Sequence, residues 1–180
     1  SKKKGPVAAL YFAQGASILT EQYRDILSLL QESVDFPLWV GIPQCPKDAA
    51  TVRLAQGIDR VTKKMETMGM KSEFNFYGGH SLGGAMMPDY VNDNAAETAS
   101  GMFLLGAFIT RKYKTATTEA GRPQVSFPVP TLTIGGELDG LCRITRIAEA
   151  LYSQITFAED VTTSMKQMPV TVIPGMIIDM

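Results

Sequence analysis

The sequence predicts an α/β fold, a doubly wound and mostly parallel sheet of about six strands with helices on both faces. Three observations carry this. Six short runs of aliphatic and aromatic residues recur along the chain, apolar residues at helical spacing fill most of the intervals between them, and a glycine-rich turn joins the third run to the stretch that follows. Alternation of strand and helix through a whole chain is the pattern of a parallel sheet with crossover helices.

The runs are VAALYF at 7–12, PLWVGI at 37–42, FNFY at 74–77, MFLLGAFI at 102–109, PTLTIG at 130–135 and PVTVIPG at 169–175. They read as strands buried on both faces, because they are continuous rather than alternating. Between the first two, Tyr23, Ile26, Leu27, Leu30 and Val34 fall on one helix face. Leu54, Ile58, Val61, Met65 and Met68 do the same before the third, and Ile144, Ile147, Ala148, Leu151 and Ile155 after the fifth. The stretch from Leu82 to about Asn94 carries a shorter helix, cut or kinked by Pro88, which has no backbone donor and clashes with the preceding turn. Residues 111–126, polar and interrupted by Gly121 and Pro123, read as an exposed connection. The predicted strand order is 2-1-3-4-5-6, numbering the runs as they occur.

With 180 residues and 45% hydrophobic content, the chain suits one domain, residues 1–180, around a single core. Seventeen Lys and Arg nearly balance eighteen Asp and Glu, and no basic stripe interleaves with aromatics, so no nucleic-acid partner is expected. No apolar run approaches the roughly 20 residues that span a bilayer, and SKKKGPVAALYF lacks a cleavage pattern. A cytoplasmic or other soluble compartment is therefore expected, with Lys2 to Lys4 as a solvated tail. Cys45 and Cys142 read as free thiols. Their strands lie four spacings apart, roughly 19 Å, too far for a disulfide. One histidine and no Cys-x-x-Cys leave almost no ligands for a structural zinc site, so no metal and no cofactor are expected.

Chemistry concentrates in YGGHSLGG at 77–84, directly after the third run. Gly79-His80-Ser81-Leu82-Gly83 matches Gly-x-Ser-x-Gly in the required setting, a buried strand before and a helix after. Such a turn holds a serine hydroxyl above the sheet, and glycines flank it because strand and helix pass too closely for side chains. The Leu82 N–H, at the start of a helix, aims where negative charge would develop on a tetrahedral intermediate. A second donor is expected from the loop after the first strand, FAQGAS, at Gly15 or Ala16; that loop faces the elbow across the switch point of the sheet. The competing reading is a packing turn with Ser81 as a helix cap. A dinucleotide loop is excluded by the glycine spacing, and a phosphate loop by the lack of a following Gly-Lys-Ser/Thr. His80 is not expected to act as base, since adjacent residues diverge at a tight turn; a local hydrogen bond suits it better. Met86 and Met87 read as core or as the lining of an acyl pocket.

After the fifth run, GGELDGLCRITR places Glu137 and Asp139 at the carboxyl edge of the sheet. Asp139 is the better candidate to orient a base, with Glu137 facing solvent. Either residue equally suits a helix N-terminus. The two strands are separated by one other, roughly 9 to 10 Å, a gap that an imidazole would bridge.

From first strand to last, the chain resembles the α/β-hydrolase superfamily, its serine esterases and lipases in particular: a QGA loop, GHSLGG and PTLTIGGELDG follow in the family's order. The resemblance implies Ser81 as nucleophile, the Leu82 and QGA-loop N–H groups as oxyanion donors, Asp139 as acid, and a small apolar ester or ligand as partner. Two departures stand out. The family's two leading strands and a lid are lacking, and its histidine, expected after the last strand, is absent, with Ile177 and Ile178 near that place. The resemblance therefore implies an ester hydrolase acting through Ser81 whose triad histidine is not in this chain. The alternative is a non-catalytic protein of the same fold that binds a ligand or partner. A flavodoxin-like domain shares the sheet order, but FAQGASILT is poor in the Ser and Thr of its phosphate loop. The last run, long and apolar at the sheet edge, predicts self-association there.

Overall fold

The computed structural model describes residues 3–46, 50, 51, 53–117, 123–125, 127–152 and 169–177. Six strands form one sheet: β1 (Ala8–Ala13), β2 (Leu38–Gly41), β3 (Phe74–His80), β4 (Ala99–Leu105), β7 (Thr131–Gly136) and β8 (Val170–Ile173), in the order β2-β1-β3-β4-β7-β8. Every recorded pairing in it is parallel. Strand order and fold class agree with the sequence reading.

All six residues of β1 are buried, and they divide between two cores. Leu10 and Phe12 pack with Tyr23 and Leu27 from the side of α1 (Arg24–Ser33), whereas Ala9, Tyr11 and Ala13 join the cluster of Ile58 and Met65 on α2 (Leu54–Thr67) and Met87 on α3 (Ser81–Tyr90). α4 (Ile144–Tyr152) shares the α2 and α3 side. A Cβ on Gly135 would meet Ile147 Cδ1 at 2.6 Å, and Gly135 lies two residues from Thr133, the partner of core residue Leu104. Helices therefore cover both faces, which is why the central strands are apolar without alternation.

Several boundaries differ from expectation. β3 continues through Gly78, Gly79 and His80, and β4 starts at Ala99 and ends at Leu105, because Gly106 turns left-handed at φ 59°. α3 passes through Pro88, where the sequence led to a cut or kink being expected, and is followed at once by a π-helical turn at Val91–Ala95. The stretch 111–126 is not a plain connection. It contains an antiparallel ladder of β5 (Lys114–Thr117) and β6 (Pro123–Val125), and the half-buried Tyr113 before it packs edge-on against Phe127 at 5.1 Å and donates its hydroxyl to Asp89 on α3. Ile26 and Met68 are exposed rather than on their helices' buried faces. Lys3 is exposed but not simply solvated: its ammonium donates to the carbonyls of Gln31, Glu32 and Val34 at the end of α1, where a cation is favoured. Lys2, Gly121, Ile155 and Ile178 lie outside the described residues. The last strand is four residues long rather than seven, and its residues are exposed at the sheet edge. Both cysteines are buried free thiols.

Leu27 is 5% exposed and its neighbour Ile26 is 54% exposed. Leu27→Ala should destabilise the protein by about 2 to 5 kcal/mol, and Ile26→Ala by no more than about 0.5 kcal/mol. Urea unfolding of both variants measures this, and equal losses would contradict the packing of α1.

Candidate active site

Ser81 stands at the junction of β3 and α3 with φ 48°, a left-handed conformation that a residue with a Cβ adopts only when its surroundings impose it. Those surroundings are three backbone contacts. A Cβ on Gly79 would lie 2.5 Å from Gly83 C and Gly84 N, one on Gly83 2.3 Å from Ala13 O and 2.4 Å from Gln14 O, and one on Gly84 2.8 Å from Gly79 O. Strand, helix and the end of β1 thus meet backbone to backbone, and the sharp reversal that they enforce exposes Ser81. The glycines are explained by close approach, as the sequence suggested.

Ser81 and Leu82 open onto an apolar cleft of about 380 Å³, bordered also by Ala16, Ala107, Phe108 and Cys142. His80 precedes the helix with extended backbone, so the first-turn amides of α3, Leu82 among them, have no intrahelical acceptor. Ala16 comes from the loop after β1. It is the second residue of a turn closed by the Ile18 N–H to the Gly15 carbonyl at 3.4 Å, with Ser17 left-handed at φ 59°. The amide at that place in a turn is not used by the turn itself. Gly15 is placed differently from Ala16: its N–H is donated to the Tyr23 hydroxyl at 2.9 Å. Of the two loop candidates, the cleft therefore takes Ala16.

Asp139 is 6% exposed on the loop after β7, and its Oδ1 accepts the Leu141 and Cys142 amides, both at 2.8 Å. It thus shapes the loop ahead of α4, with both amides before the first helical residue Ile144, and through Cys142 that loop reaches the same cleft as Ser81. Glu137 is exposed, as expected, and accepts the Gly175 N–H at 2.8 Å. Met87 is fully buried core and Met86 packs against that core, so neither borders the cleft.

His80 turns away from the cleft, but not to a local partner. Its Nδ1 lies 2.7 Å from the hydroxyl of Tyr23, at the entry to α1. The sequence pattern had marked Tyr23 only as part of an apolar face, and no local signal pairs residues 57 apart. Burial pulls the imidazole below its ordinary 6.5, with the Asp139 carboxylate opposing. The thiol of Cys142, which borders the same cleft as Ser81, is pushed up to about 11 by burial and by Asp139, which makes it a poor nucleophile. A wider groove of about 670 Å³ between the end of β2 and α2 is bordered by Cys45, Arg60 and Lys64, and burial raises that thiol also. Among the described residues no group of His, Cys, Asp and Glu is placed to hold a metal ion. No helix among them is long and apolar enough to cross a membrane.

The pattern of the alpha/beta hydrolase family matches residues 9–163. No curated protein matches the sequence. Among solved structures, the chain is similar to a thermophilic esterase of the planctomycete Thermogutta terrifontis, with 13% identity over 98% of this chain and 74% of that one at a TM-score of 0.57. It is also similar to carboxyl esterase 2 of the mycorrhizal fungus Tuber melanosporum, with 13% identity over 94% and 68% at 0.57. An alpha/beta hydrolase enzyme from a Medee basin deep-sea metagenome library shares 9% identity over 95% and 82% at 0.55. At such identities the likeness is one of fold.

A histidine whose folded-state pKa is lowered takes up its proton more readily when unfolded. Its contribution is intact above 6.5 and is lost as the pH falls from there through the lower folded-state value. Stability should therefore decline below about pH 6.5, and more steeply in the wild type than in His80→Asn. Urea midpoints of the two proteins across that window measure the difference; parallel curves would refute it.

Proposed function

The chain belongs to the alpha/beta hydrolase family, and on that premise we propose that it is a serine-type hydrolase of small carboxylic esters with Ser81 as nucleophile. The observation that carries this is Ser81 itself, left-handed at the strand-to-helix junction and open to an apolar cleft. Strain of this kind costs on the order of 1 to 3 kcal/mol, and a serine that only caps a helix has no use for it.

In this reading Ser81 Oγ adds to the ester carbonyl carbon as its proton passes to a base. The new oxyanion is met by the Leu82 and Ala16 amides, one at the N-terminus of α3 and one at the corner of the facing turn. Cleavage of the carbonyl–alkoxy bond releases the alcohol, which takes the proton back from the base. Water, deprotonated by the same base, then adds to the acyl-serine, freeing the acid and restoring Ser81. The cleft accommodates a small apolar acyl group.

The base is the group these residues do not supply. The one histidine among the 180 residues is His80, and it is bonded to Tyr23 on the far side of the elbow. The reading assigns an imidazole from outside residues 1–180, oriented by Asp139, whose Oδ1 is held by loop amides and whose other oxygen serves as acceptor. Without it the rate falls by about four to six orders of magnitude, leaving what binding and the oxyanion donors contribute.

The commitment of His80 equally favours a second reading, a protein of this fold that binds a small apolar ligand without turning it over. Hydrolysis of p-nitrophenyl butyrate, with and without added imidazole, separates the two. The hydrolase reading expects an imidazole-dependent rate above that of Ser81→Ala, the variant serving as blank for imidazole's own reaction. Identical rates for the two proteins at every imidazole concentration would remove the hydrolase and leave the binder.

A further inference from the structure

We propose that Tyr23 and His80 are positioning residues that brace the loop carrying the Ala16 amide against the elbow carrying Ser81, so that the chain's single histidine sets the oxyanion site instead of serving as base. The inference rests on the hydrolase reading for its catalytic consequence and on geometry for its existence.

Two hydrogen bonds meet at one phenol oxygen: the Gly15 N–H donates to it at 2.9 Å, and His80 Nδ1 lies 2.7 Å from it. Tyr23 and His80 are both nearly inaccessible to solvent, so each polar hydrogen needs a partner within the protein. The phenol oxygen already accepts the Gly15 N–H. Were Nδ1 to donate as well, the phenol hydrogen would have to find another buried acceptor. Tyr23 donating to Nδ1 satisfies both the oxygen and the hydrogen of the phenol, and it leaves His80 neutral and protonated on Nε2. Burial supports both states, raising the phenol and lowering the imidazole.

The brace holds Gly15 at two points, since its carbonyl also accepts the Ile18 N–H. With that residue fixed, Ala16 at the turn's corner is fixed as well. The fit is tight: a Cβ on Gly15 would lie 2.8 Å from His80 Nδ1 and 3.2 Å from the Tyr23 hydroxyl. A loop shift of 1 Å is the scale on which oriented catalysis loses about a hundredfold.

A single histidine makes the test direct, because ¹⁵N-labelled imidazole shows one spin system. At neutral pH it should be protonated on Nε2 with Nδ1 as acceptor; an Nδ1-protonated ring would overturn the brace, whatever any variant does. Tyr23→Phe keeps the ring that packs on Phe12 at 5.1 Å, and a thermal melt confirms folding. In that variant, the Gly15 amide should exchange with solvent at least about tenfold faster and the Ala16 amide resonance should move. An unmoved Ala16 amide overturns the positioning role.

In the imidazole-supplemented ester assay, Tyr23→Phe should lower kcat about 10- to 100-fold with KM within about twofold; an unchanged kcat also overturns that role. Should neither protein hydrolyse the ester, the hydrolase reading fails, while the spectra still decide the brace.

Discussion

The structure depends on how closely three backbones approach beneath Ser81. The end of β3, the first turn of α3 and the end of β1 meet with no room for a Cβ at Gly79, Gly83 or Gly84. This contact ties the central strand pair to the helix that follows, and it forces the reversal to happen within a single residue. Ser81 absorbs the change of direction at φ 48°. The packing on both sides holds that conformation: Met87 is completely buried under α3, and Phe12 stacks on Phe103 at 5.7 Å across the other face. Relaxing the serine would mean separating strand from helix.

The same approach shapes the switch point of the sheet. β1 and β3 are neighbours, and the chain leaves β1 for α1 on one face and β3 for α3 on the other. Their loops diverge and leave a crevice, and the turn after β1 is brought to the elbow by the contact of Gly83 with Ala13 and Gln14. Ser17 and Ser81, both left-handed without being glycine, flank this crevice. Two such residues at one place mark where local preference has been overruled by tertiary packing.

What was legible in the sequence is what local pattern encodes. Strand order follows from six apolar runs and the right-handed crossover rule, and the elbow from a glycine spacing that only close approach explains. Boundaries were less legible. The register of β3 and β4 shifts between Asn75 and Phe76, and Gly106 ends β4 four residues inside an apolar run whose hydrophobicity gives no hint of a turn. Ile26 satisfies helical periodicity but is exposed, while its neighbour Leu27 is the buried residue of α1 that packs on β1. The β5–β6 ladder sits in polar sequence, which carries no run of apolar residues to mark a strand. The hydrogen bonds of Asp139 to the Leu141 and Cys142 amides were not legible, since in sequence a carboxylate ahead of a helix and one that orients a base look alike.

The histidine shows why composition misleads about chemistry. A lone histidine beside a candidate nucleophile invites a pairing that strand geometry forbids. His80 is the last residue of β3, and its ring falls on the α1 face with Phe12 and Tyr23, while Ser81 has already turned toward the cleft. A buried imidazole must satisfy two ring nitrogens, and Tyr23 answers one of them with a hydroxyl that also holds Gly15. Ser81, Leu82 and Ala16 border one cleft, and the loop shaped by Asp139 reaches it through Leu141 and Cys142. In the proposed hydrolase reading an oxyanion site needs no base in order to form, because its donors would be backbone amides fixed by the same packing that stabilises the fold.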